Sequence, residues 1–124
     1  MNSSELAWRI RRHAVEMTHI SNASHIACVL SIADILGVLY ADIMEYKPMN
    51  PKYSERDRFI LSKGHAGAGI YAVLAEVGFF STELLSTYYS NGSHLSGHVS
   101  HINVSGVEFS TGSLGHGLGV GVGM

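Results

Sequence analysis

At 124 residues, with 46% apolar and 15% charged side chains, the chain has the length of one compact domain and enough apolar material for a core, which excludes a disordered or fibrous protein. A net charge of −2 with scattered Lys and Arg gives no basic footprint, so neither nucleic acid nor an anionic membrane surface is expected as a partner. A single cysteine, Cys28, excludes an intramolecular disulfide and a cysteine-based zinc cluster, and makes a reducing, cytoplasmic compartment the expectation.

The first residues carry no apolar run behind a basic start, so no signal peptide is read, and no stretch of about 18 apolar residues occurs that would span a membrane. Ser3 and Ser4 are expected to cap a helix over 5–20, because Leu6, Ile10, Ala14 and Met17 fall on one face. Arg9, Arg11 and Arg12 then lie on its solvated side, and His13 and His19 read as helix positions without a partner. The turn formers at 21–24 break the helix. Cys28, in the run Ile26-Ala27-Cys28-Val29-Leu30, reads as a small buried hydrophobe. A second helix is predicted over 31–44 with Ile32, Ile35, Leu36, Leu39 and Ile43 as its core face, followed by a loop over 45–57 that holds both prolines. Residues 58–62, Arg-Phe-Ile-Leu-Ser, are the best strand candidate. Helices are predicted over 66–76, ended by Gly78, and over 82–89, and residues 91–106 read as irregular. The tail from Leu114 is helical only if something packs close against its many glycines, each of which lowers helix propensity by up to ~1 kcal/mol. It stays apolar to its last residue, which is expected of a fragment, a truncated product or one part of an assembly. A lone parallel strand followed by a helix begins an α/β unit whose sheet partners must be supplied from elsewhere.

The chemistry-bearing residues are mostly histidines, eight in all. His25, His65, His94, His98, His101 and His116 sit in loops or at element junctions. His65 follows the strand candidate at the hand-over to a helix, where ligands gather beyond strand ends in open α/β sheets. On spacing alone it reads equally as a helix-capping residue or as a group that hydrogen-bonds a substrate oxygen or moves a proton. His94, His98 and His101 have residue types that suit zinc, but match no established zinc spacing. Thr111-Gly112-Ser113-Leu114-Gly115-His116-Gly117 is a glycine-rich turn that is neither a Walker loop nor a dinucleotide fingerprint.

Taken in order, these pieces resemble the N-terminal segment of transketolases. Asp57-Arg58-Phe59-Ile60-Leu61-Ser62-Lys63-Gly64-His65-Ala66 is similar to the family's DRFVLSKGHA, and Ala72-Val73-Leu74-Ala75-Glu76-Val77-Gly78-Phe79-Phe80 continues it. Gly97-His98 and the run from Gly106 to Gly115 resemble its GHP and PGVExSTGSLGQG, and Ser31-Ile32-Ala33-Asp34-Ile35-Leu36 its SxADIL. The lysine-bearing SKGHA form resembles bacterial enzymes split into N- and C-terminal subunits. The resemblance implies an α/β fold, the first portion of a thiamine diphosphate-binding domain of parallel sheet and helices, mostly helical over residues 1–124. It implies an enzyme that passes a two-carbon ketol unit between sugar phosphates with thiamine diphosphate and Mg²⁺. It further implies a dimer or other homo-oligomer, or a partner C-terminal subunit.

By the same resemblance, His25, His65 and His98 are the catalytic histidines. Gly112, Ser113, Leu114, Gly115 and His116, with His65, would contact the cofactor. No metal ligand is carried over, because the family's GDG…N motif does not occur in the sequence. The chain also departs from the family pattern. Ala23-Ser24-His25-Ile26-Ala27-Cys28 stands where the family has SGHPGG, Val99 replaces a proline, and His116 replaces the glutamine of GSLGQG. The competing expectations are a truncated, non-catalytic remnant serving as an interaction module and, behind it, a histidine-rich metal-binding domain. Deoxyxylulose-phosphate synthase shares the architecture but fits the KGHA segment less well.

Overall fold

In the computed structural model, which describes residues 1–124, Leu6, Ile10, Ala14 and Met17 are all buried on one stripe of helix α1, Ser3–Ser21. The cap is Asn2, not Ser3 or Ser4: its side chain accepts the Glu5 N–H at 2.8 Å. Asn22 closes the helix in the left-handed region, where its amide turns back to the last carbonyls. The three arginines do lie outward, where Arg9 pairs with Glu5, Arg11 with Asp34 and Arg12 with Glu16. His13, read as partnerless, instead meets Glu76 at 2.6 Å, and Arg9 reaches the same carboxylate.

The predicted helix over 31–44 is broken into pieces that begin earlier. Helix α2 spans Ile26–Leu30, a turn at Ser31 and Ile32 follows, helix α3 spans Ala33–Val38, and a π-helical turn covers Leu39–Ile43. The buried face is Ala33, Leu36, Gly37 and Tyr40, while Ile35 and Ile43 are exposed. The reason is close approach. A Cβ on Gly37 would lie 2.6 Å from the Ser3 carbonyl oxygen and 3.0 Å from the Ala7 Cβ, so the face of α3 against α1 is set by this close approach, and Ile35 and Ile43 lie off it. Cys28 is only partly buried, packed on the core edge.

Residues 58–62 form no strand. A strand exists only through a ladder, and these residues find no partner strand. The Leu61 carbonyl accepts the Thr111 hydroxyl, and the Ser62 hydroxyl accepts the Gly117 N–H at 3.1 Å. The segment is therefore held by the start of the glycine-rich tail.

A 3₁₀ turn, Gly64–Ala66, then leads into helix α4, Gly67–Glu76, buried at every position through Ala75. A helix apolar on all sides belongs at the centre of a core, and α1, α2 and α3 all pack on it. Gly78, with φ +94°, ends it as expected. Residues 82–89 are not an α-helix but a 3₁₀ helix, Thr82–Thr87, in which the Ser86 and Thr87 hydroxyls bond back to the Glu83 and Leu84 carbonyls and compete with α-helical pairing. Residues 91–106 are irregular. Helix α5, His116–Gly123, ends the chain. Tight packing explains a glycine there only at Gly117, whose added Cβ would meet the Ser62 backbone at 2.8 Å; nothing in the structure requires glycine at 119, 121 or 123. No helix is long and apolar enough to cross a membrane.

Candidate active site

Three loops deliver three imidazoles to one place. His65 sits in the 3₁₀ turn at the head of α4, His25 immediately before α2, and His98 in the irregular segment. Their ring centroids are 4.5 Å apart for His65 and His98, 4.8 Å for His25 and His65, and 5.5 Å for His25 and His98, all edge to face.

Each ring is delivered by identifiable backbone constraints. Gly64 has no room for a side chain, since its Cβ would lie 2.2 Å from the Thr111 carbonyl oxygen. Its own carbonyl accepts the Val99 N–H at 3.1 Å. One glycine thus joins the His65 turn to both the His98 loop and the glycine-rich segment. Gly67 is also confined, since an added Cβ would lie 2.9 Å from the Val99 nitrogen. His25 has φ +73°, a left-handed conformation that costs a non-glycine residue roughly 1–2 kcal/mol. The altered loop around it still brings its ring to the other two.

The environment sets the chemistry. The His65 Nδ1 is buried and has no hydrogen-bond partner, and an unpaired buried polar atom costs about 1–3 kcal/mol. Desolvation of the His98 ring, and after it the adjoining His65 and His25, hold its pKa below the ordinary 6.5. At neutral pH His98 is therefore an uncharged imidazole, able to donate from one nitrogen and accept at the other. That ring, the neighbouring His25 imidazole and the orphaned His65 nitrogen form a cluster suited to hydroxyl and carbonyl oxygens.

The depressed His98 pKa has a consequence for stability. The folded state binds this proton less readily than the unfolded chain, so stability falls as pH drops from about 6.5 toward the lower folded value. A urea midpoint measured across this range should decline in the parent protein and decline less in His98→Gln; equal slopes would contradict the shift.

Gly112 is half-buried, and Ser113, Leu114, Gly115 and His116 are exposed, forming the turn into α5. Gly115 takes φ +85°, and the His116 ring lies edge-on to Phe109 at 5.7 Å. The turn adjoins the histidines through the Thr111–Gly64 contact. His101 is engaged elsewhere: Ser110 bonds both its amide and its ring, and Phe109 stacks on it. No group of three or more His, Cys, Asp or Glu is arranged to hold a metal ion, so the His94, His98 and His101 zinc reading has no geometric basis.

Sequence reasoning missed Tyr71. It lies in the apolar run of α4, fully buried, and its hydroxyl donates to the His98 carbonyl and accepts the Ser100 N–H. The one available signal was its type, since a buried tyrosine must find a partner for its hydroxyl.

Comparison with known proteins bears on this geometry. The family model described as the transketolase, thiamine diphosphate binding domain matches residues 2–124. One of the subunits named for the apulose-4-phosphate transketolase of Phocaeicola vulgatus is 47% identical over 114 residues, covering 92% of this chain and 40% of that protein. A subunit of the 6-deoxy-6-sulfo-D-fructose transketolase of a Clostridium species is 41% identical over 115 residues, covering 93% and 42%. The solved transketolase of Leishmania mexicana matches 99% of this chain and 18% of its own, with a TM-score of 0.92 at 31% identity. The chain thus spans about two-fifths of the length of the two curated relatives, and its helices hold the arrangement of the first portion of the α/β fold.

Proposed function

The chain belongs to the transketolase family, in its thiamine diphosphate-binding domain, and from that premise we propose that it contributes the substrate-facing histidines of an enzyme that transfers a two-carbon ketol unit between sugar phosphates. The observation that carries this reading is the convergence of His25, His65 and His98, with the His65 Nδ1 buried and unpartnered.

The residues present fit the thiamine end of the cofactor. An added Cβ on Gly112 or Gly115 would meet nothing within 4 Å, so the backbone of this turn is open to a ligand, and the orphaned His65 nitrogen needs one. Gly112, Ser113, Leu114, Gly115 and His116, with His65, would hold that end. When bound, thiamine diphosphate supplies the nucleophilic carbon that attacks a ketose carbonyl and carries the two-carbon unit. His65 and His98 hydrogen-bond the sugar's carbonyl and hydroxyl oxygens and stabilise the negative charge that develops there. The uncharged His98 can donate from one ring nitrogen and accept at the other. His25 closes the third side of the cluster and orients the sugar hydroxyls.

The residues present do not fit the Mg²⁺ of the diphosphate, for which no ligand group exists among them. Residues 1–124 act as part of the cofactor domain, and the metal ligands come from a further part of the protein or from a separate partner chain. Relatives that are themselves named as subunits of transketolases support a partner subunit; a C-terminal subunit is the partner we propose, with such pairs forming homo-oligomers in the cytoplasm.

Calorimetric titration with thiamine diphosphate and Mg²⁺, with and without the completing C-terminal chain, tests the reading. Binding that requires the completing chain is expected. Failure to bind in its presence would leave a non-catalytic remnant serving as an interaction module.

A further inference from the structure

Tyr71 is fully buried in α4 among Ile70, Ala72, Val73 and Leu74, yet its hydroxyl is fully used. It accepts the Ser100 N–H at 3.0 Å and donates to the His98 carbonyl at 3.2 Å. The Ser96 hydroxyl donates to the same carbonyl at 2.6 Å. Between the two Tyr71 bonds, Val99 is buried and donates its N–H to the Gly64 carbonyl. The His98 ring, by contrast, makes no hydrogen bond to the protein, so its place is set by its own backbone.

We propose that Tyr71 is a positioning residue whose buried hydroxyl ties the 96–100 loop to α4 and so fixes the His98 imidazole against His65 and His25. His65 heads the turn that continues into α4, so one rigid element carries His65 and, through Tyr71, places His98. A loop whose backbone bonds were left to solvent would not hold two unbonded rings 4.5 Å apart. The inference rests on the reading above that these imidazoles meet the substrate.

Tyr71→Phe keeps the ring and removes only the hydroxyl. In the assembled protein, magnetic resonance should find the Ser100 amide exchanging at least about tenfold faster. The His98 titration midpoint should move up toward about 6.5 as its ring gains solvent and drifts from His65 and His25, the titratable groups that face it. Turnover should fall about tenfold in kcat with KM changed less than about threefold, as expected when a transition-state contact is loosened. Ser96→Ala, at an exposed position, removes the other hydroxyl from the same carbonyl. It should shift the same signals by less, and it tests the clamp if Tyr71→Phe does not fold. Unchanged Ser100 exchange and His98 titration in whichever variant folds would overturn the proposal. Shifted signals with unchanged kcat would uphold Tyr71 as the anchor of His98 and instead strike the assignment of His98 to the substrate.

Discussion

Alanine at position 65 should lower kcat/KM for ketol transfer by about 10²–10⁴-fold in the assembled enzyme, while the thermal midpoint moves by only a few degrees. The two effects separate because of how His65 is placed. Its ring packs against two other imidazoles, and its Nδ1 is buried without a partner. Removing it leaves no protein group newly unpaired, so the stability loss is confined to modest packing. Under the proposed function, the same substitution removes a donor from the point where charge develops on the sugar oxygen. Steady-state kinetics with a ketose phosphate donor and an aldose phosphate acceptor would measure the loss. A decrease below about threefold would mean that His65 does not face the reacting atoms.

The largest stability effect is expected one residue earlier. In Gly64→Ala the new methyl would lie 2.2 Å from the Thr111 carbonyl oxygen, 2.7 Å from its carbonyl carbon and 2.9 Å from its hydroxyl oxygen. Two of these atoms are backbone, held in turn by the Thr111 bond to the Leu61 carbonyl. Overpacking against a flexible side chain costs about 1–3 kcal/mol, and a rigid backbone contact belongs at the upper end or beyond. Urea denaturation should therefore show a loss of about 3 kcal/mol or more. Gly119→Ala, whose Cβ meets nothing within 4 Å in α5, should instead gain about 0.5–1 kcal/mol from helix propensity. Similar midpoints for the two variants would mean that the 64–111 junction is not the rigid joint described.

The stripe of α1 was legible because it is long and strongly periodic, and periodicity carries most where one face meets a core. The 31–44 face was read in part: Leu36 is buried and Ile32 and Leu39 pack on the core, but the close approach to α1 at Gly37 turns Ala33, Gly37 and Tyr40 inward and leaves Ile35 and Ile43 exposed. Residues 58–62 read as a strand because the run is apolar, but pairing is a property of two segments, and no partner strand occurs among residues 1–124. His25, His65 and His98 were identified through family motifs. Their separation along the chain gives no hint that three loops meet, and only the fold brings the rings together. Tyr71 was hidden among core residues because hydrophobic patterning counts its ring and overlooks its hydroxyl.

The most direct test is to follow the imidazole resonances of all eight histidines in the assembled, cofactor-loaded protein as a ketose phosphate is added. His25, His65 and His98 should shift together, with one saturation curve, while exposed His19 and His94 stay in place. Saturable binding that leaves those three resonances unmoved would contradict a substrate site built on the three imidazoles.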